Sequence, residues 1–228
     1  MAPEDIDKIL VQTANGVEIP AAVMQRAKER IIPSLRPVRP LASAWFFIAA
    51  FLIVFGVVAV AGASVVGMHG WRALGVSERA VIFTVVIAAA CFAAVACTHE
   101  MRPAAGRRMS GPAFGVVVAG LLITFALLFP DYGMQKFVGQ GVPCLVAGLT
   151  FALPAALLGI LLVRRGFVLD LAASGIAVGT LAGLAGIGGL ELHCPNLKAT
   201  HVMFWHVGVV VASALIGRGL AGIWRRNR

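Results

Sequence analysis

The chain has 228 residues, 60% of them hydrophobic and 13% charged, well below the roughly 25% charged content of a soluble domain. That balance excludes a water-soluble globular enzyme and points to an integral membrane protein. A formal net charge of +9 would suggest a nucleic-acid partner in a soluble chain, but in a membrane chain basic residues first set orientation.

Residues 1–40 hold no apolar run of signal-peptide length, so the first membrane helix is expected to serve as an uncleaved anchor, with the amino terminus in the cytoplasm. Pro3, Glu4, Asp5 and Asp7 suit a helix start, where acidic groups meet the favourable end of the helix dipole. Ile6, Ile9 and Leu10 give that helix a short apolar face. Pro20 can open a second helix on which Val23, Met24, Ala27 and Ile31 face one way. The prolines of PSLRPVRP then end it, because a residue before proline is pushed towards extended conformations. Two short helices bury no core of their own, so these faces call for lipid headgroups or a groove on a soluble partner.

A hydrocarbon core about 30 Å thick needs roughly 20 apolar residues of helix. Six stretches approach that length, at about 41–66, 80–97, 113–129, 145–163, 167–190 and 202–224. Short links containing Pro or Gly join them, so successive helices are expected to be antiparallel neighbours. The fold class is therefore all-α: a polytopic six-helix membrane bundle over residues 41–228, preceded by a short cytoplasmic helical leader over residues 1–40.

Lysine and arginine test the topology. Fifteen lie in the leader, the second and fourth links, the tail and the inner end of the last span, against four (Arg72, Arg79, Lys136 and Lys198) in the odd-numbered links. The positive-inside rule then puts both termini in the cytoplasm. The charge is an orientation signal, and no direct nucleic-acid partner is expected.

The same topology puts His69, Cys144, His193, Cys194 and His201 at or beyond the outer surface, with His206 about one turn deeper. Cys144 is expected to begin the fourth span, and Cys194 follows the fifth. The pair could form a disulfide in an oxidising compartment. Alternatively, thiolate and imidazole from Cys144, Cys194, His193 and His201 could hold a soft or borderline metal ion. His201 and His206 are five residues apart, which does not place them on one face of an α-helix. In the plainer alternative His193 and His201 are interfacial caps and His206 is hydrogen-bonded within the bundle. Cys91 and Cys97 read as small apolar packing residues.

Within the fifth span, Gly175, Gly179 and Gly183 recur every four residues, a stripe that lets helix backbones approach closely in lipid. Asp170 is expected about one turn inside the inner end of that span and Arg218 at a similar depth in the sixth. Buried charges are costly unless paired, so a mutual Asp170–Arg218 pair is expected.

LRPVRPL at 35–41, LLVRRG at 161–166, LHCP followed by FWH within 192–206, and a lone Cys144 at the fourth span resemble the NrsF family. This resemblance covers about residues 35–228. It implies a non-enzymatic anti-sigma factor of the bacterial inner membrane. The leader would sequester an extracytoplasmic-function sigma factor, and Cys144 and Cys194 would sense metal or oxidative stress. The segment VEIPAAVMQRAKERIIPS lengthens the leader beyond the compact family pattern. Two other readings start from the residues: a membrane thiol oxidoreductase passing electrons to quinone, disfavoured by the absence of CxxC, and a small transporter, disfavoured by the lack of paired buried charges and of an inverted repeat.

Overall fold

The computed structural model describes residues 21–32, 41–102 and 109–226. The chain divides into two units, Met1–Pro40 and Leu41–Arg228. In the first, α1 spans Ala21–Ile31 and carries Lys28 and Arg30 in its last turn, where cations meet the negative end of the helix dipole. Gln25 donates to Glu29 at 3.0 Å along its exposed side. Ile6, Ile9 and Leu10 lie outside the described residues, and of Val23, Met24, Ala27 and Ile31 the helical backbone alone is described.

The second unit contains α2 (Ala44–Val66), the short α3 (His69–Ala73), α4 (Val76–Glu100), α5 (Ser110–Leu128), α6 (Phe137–Val163) and α7 (Leu171–His193). It closes with α8, which runs without a break through Ala199–His201, a π-helical turn at Val202–His206, and Val207–Arg226. Six of these helices are long and apolar enough to cross a membrane. Large apolar side chains face outward, among them Leu127 at 82% and Val57 at 61% exposure, a surface that water disfavours and lipid accepts. Trp45 at one end, with Trp71 and Tyr132 at the other, are exposed, matching the aromatic belts of membrane interfaces.

Helix boundaries depart most from the apolar runs in three spans. Span two begins at Val76 because the Glu78 carboxylate accepts from the Gly75 amide at 2.7 Å. Span four begins at Phe137, not near residue 145, so Pro143 and Cys144 lie two turns inside the helix. Each of its prolines removes one backbone hydrogen bond, which membrane helices tolerate when neighbours cover the freed carbonyl. Span five begins at Leu171 because Asp170 is its N-cap, accepting from the amides of Ala172 and Ala173 at 3.0 and 3.1 Å.

Antiparallel succession puts the links after α2, α5 and α7 at one end of the bundle, with Cys194 and Lys198. The links after α4 and α6 lie at the other, with Arg102, Arg164 and Arg165. At this arginine-bearing end the Phe167 amide donates to the Met101 carbonyl at 3.0 Å, and Ser110 Oγ donates to the Glu100 carboxylate.

α7 is the central helix. It packs against α2, α4, α5, α6 and α8, and every residue from Ala177 to Leu192 is buried. A helix enclosed on all sides needs small residues where neighbours cross closely. On the α8 side a methyl added at Gly179 would lie 2.7 Å from Ala214 Cα, and one at Gly183 would lie 2.5 Å from Val210 Cα. At Gly175 it would strike the Gly217 carbonyl. On the α6 side a methyl at Gly186 would lie 2.5 Å from the Gly148 carbonyl oxygen. These approaches are backbone to backbone, so no rotamer change relieves them. Gly183→Val is therefore expected to destabilise the bundle by about 1–3 kcal/mol, seen as a lowered thermal midpoint in detergent micelles. Gly115→Val, whose added atom meets nothing within 4 Å, is expected to leave the midpoint in place.

Candidate metal and redox centre

The Gly148–Gly186 crossing sets how near α6 comes to α7. One turn above it on α6 stands Cys144, half-buried. Cys194 ends α7 as its C-cap, its amide donating to the Leu190 carbonyl at 2.6 Å, and Pro195 prevents continuation. The two Sγ atoms are 3.5 Å apart. The short α3 packs against this end of α7, where Gly70 leaves room for the carbonyls of Glu191 and Cys194.

The start of α8 is pinned by the link after α5. Ala199 N donates to the Asp131 carbonyl at 2.7 Å, and Thr200 Oγ1 donates to the Gly133 carbonyl at 3.0 Å. Lys198 and Asp131 form an ion pair at 3.9 Å. The π-helical turn follows at Val202–His206. Its i to i+5 pattern brings His201 and His206 together, rings perpendicular and centroids 5.2 Å apart. Five-residue spacing separates them on an α-helix; the π turn reverses that expectation. His201 Nε2 lies 3.6 Å from Cys194 Sγ. One ligand atom from each of Cys144, Cys194, His201 and His206 lies within 4.8 Å of the other three.

Glu191 was absent from the expected set, yet it is 1% exposed and its Oε1 lies 2.7 Å from His206 Nδ1. That contact leaves His206 Nε2, buried and without a protein partner, as the nitrogen available to the thiols. A carboxylate behind a histidine is the usual outer partner of a metal-ligating imidazole, fixing its tautomer and orientation. The sequence signal was a lone acidic residue at the end of an apolar run, where an ionisable group is costly unless partnered.

Other expected residues stand apart. His193 Nδ1 donates to the Gly67 carbonyl at 2.8 Å and the ring packs edge-on against His69 at 5.7 Å, so it belongs to a second imidazole pair that fastens α7 to the α2–α3 link. Among the described residues no ion pair joins Asp170 to Arg218: the Asp170 carboxylate faces the amides at the start of α7, and the Arg218 side chain is exposed. Asp170 is the N-cap of α7. Cys97 is fully buried and Cys91 half-buried, both remote in sequence from the cysteine-bearing end.

Two chemistries fit the four donors. A disulfide requires the sulfurs to close to about 2.05 Å, a movement of α6 against the end of α7. A tetrahedral ion with metal–sulfur bonds of about 2.3 Å holds its two sulfurs roughly 3.8 Å apart, close to the separation present. Two thiolates and two imidazoles suit zinc or a softer ion. The bond shared with Cys144, with burial adding to it, holds the Cys194 thiol above the ordinary thiol range, while His201 and His206 pull the other way. An ion taking the site must displace that proton.

The chain is thus a polytopic bundle with six helices fit to cross a membrane and a buried thiol and imidazole cluster at one end. The family model for NrsF, negative regulator of sigma F, matches residues 33–226, and the chain belongs to this family. No curated protein and no solved structure matches the chain.

If the donors hold a metal, Cd2+ added to the reduced protein in detergent is expected to bind one per chain, followed by thiolate-to-metal absorbance in the ultraviolet. Glu191→Gln is expected to weaken it about 10–100-fold and Cys194→Ser to abolish the absorbance. Equal affinity in Glu191→Gln and the wild type would remove the carboxylate from the centre.

Proposed function

We propose that this chain is a membrane-bound anti-sigma factor that sequesters an extracytoplasmic-function sigma factor and releases it on metal or oxidative stress. The family description supports negative regulation of a sigma factor. The observation that carries the sensing role is the four-donor cluster of Cys144, Cys194, His201 and His206, gathered at the bundle end opposite the arginine-bearing links. With the arginines inside by the positive-inside rule, that cluster faces the periplasm of a bacterial inner membrane, where metals and oxidants arrive first.

In this reading the leader is the effector. The apolar residues Ile6, Ile9 and Leu10, with Val23, Met24, Ala27 and Ile31, are the proposed anchors for a groove on the sigma factor, in the manner of amphipathic helices. At the sensor, an oxidant that takes two electrons and two protons from Cys144 and Cys194 leaves a disulfide; a soft metal instead replaces the thiol protons. The disulfide draws α6 against the end of α7, while the metal also engages the π turn of α8 through His201 and His206. The signal acts only if it favours one arrangement of those helices over another.

Cys144→Ser and Cys194→Ser are each expected to hold target transcription at its unstressed level when cells meet Cd2+ or an oxidant, read with a promoter fusion. Normal induction in both variants would sink the sensing role. Full-length protein is expected to co-purify with its sigma factor, and Val23→Asp with Met24→Asp to reduce that capture at least about tenfold, as loss of buried anchors does. An impermeant maleimide applied to intact cells should label reduced Cys144; labelling of an amino-terminal cysteine tag instead would reverse the orientation.

A further inference from the structure

We propose that the lateral groove between α6 and α8, floored by α7, is a binding site for one anionic phospholipid. It does not rest on the sensing role of the thiols. The groove holds about 910 Å3, at the upper end of the roughly 300–1,000 Å3 typical of ligand sites. Its α6 wall runs from Val146 to Ile160, about 21 Å at 1.5 Å per residue. That exceeds the roughly 15 Å of one leaflet's hydrocarbon, half of a 30 Å core, so an acyl chain fits along it.

Polarity along the groove is ordered as it is in a phospholipid. Leu153 and Leu157 on α6 and Ile216 and Leu220 on α8 make apolar walls that are more than half exposed, with room for a tail. About one turn inside the arginine-bearing end, Ser174 lines the groove, 5% exposed, its Oγ without a hydrogen-bond partner. Ser213, deeper and 8% exposed, has an unpartnered Oγ too. A serine hydroxyl on a membrane helix commonly finds a partner, since lipid tails offer none and an unmet polar group is costly there. Elsewhere in this chain Thr124, Thr150 and Thr180 each donate back to the carbonyl four residues earlier. Ester oxygens of a lipid neck would meet Ser174. At the mouth stands the exposed Arg164, with Arg165 beside it, and basic groups between membrane helices at this level recognise anionic headgroups.

The test uses full-length protein, delipidated in mild detergent, and native mass spectrometry with phosphatidylglycerol or phosphatidylethanolamine of identical chains. One phosphatidylglycerol per chain is expected to be retained in preference to phosphatidylethanolamine. Arg164→Gln, at an exposed side chain, is expected to cut phosphatidylglycerol retention about fivefold, the size of one arginine-to-headgroup attraction, without changing phosphatidylethanolamine. Ala156→Phe, which fills the groove, is expected to lower retention of both lipids with an unchanged thermal midpoint. Equal retention of the two lipids, or indifference to Arg164→Gln, would overturn the anionic site. Copy-to-copy crosslinking of Leu157→Cys in vesicles would overturn it in favour of a second chain in the groove.

Discussion

The structure depends on one constraint: α7 has no free side. Lipid offers almost no hydrophobic gain for bringing helices together, so contact must be bought with close packing. A helix wrapped by five neighbours achieves this with glycine and alanine. From Gly175 to Gly189 it carries no residue larger than leucine or isoleucine, and its closest approaches, to α8 and to α6, are backbone to backbone. Because the backbones are already in contact, the relative heights of α6, α7 and α8 are fixed to within a side chain's width. That precision puts Cys144, Cys194 and the histidines within reach of one another.

The π turn solves a second geometric problem. α8 must present two imidazoles to thiols held on other helices while leaving Val209 and Val210 to pack below. Widening the turn at Val202–His206 rotates His201 and His206 onto one face without breaking the helix. Such turns are uncommon and tend to occur at functional sites. Trp205, within the turn, fills the space above Gly141 and packs against Phe137 at 5.2 Å, so the widened segment is held by aromatic packing. Glu191 and His206 then lock the two helices together in a buried pair, and removal of one member of such a pair usually costs about 3–5 kcal/mol.

Much of this was legible in the sequence. Six apolar runs, their short links and the glycine stripe follow from length and spacing alone, and the chemistry of LHCP and FWH drew attention to the right loop. What spacing could not supply was anything decided by a departure from the regular α-helix or by a polar group's choice of partner. Span four started two turns early because Pro143 is tolerated inside it. Asp170 became the cap of α7, its carboxylate accepting from the amides of Ala172 and Ala173, a role that charge spacing alone does not announce. His201 and His206 met because of a π turn, which no α-helical periodicity announces. Glu191 was overlooked because it reads as part of a polar link until the helix is seen to continue through His193.

The same packing bears on how a change at the thiols could reach the opposite end. Cys194 caps one end of α7 and Asp170 caps the other, so a single helix joins the thiol end to the arginine-bearing end. The glycine seam does not allow continuous sliding: side chains and carbonyls interlock at intervals of one turn, and packed interfaces respond by switching between discrete arrangements. Closing the sulfurs from 3.5 Å to a bond pulls the top of α6 towards α7, while an ion spreads its attraction over α6, α7 and α8 together. These two events load different helices. On the proposed sensing role an oxidant would act mainly across the Gly148–Gly186 crossing, and a metal also through His206 and the Gly183–Val210 contact below it. In that role the bundle would distinguish the two by which seam is strained, with α7 linking the thiol end to the arginine-bearing end.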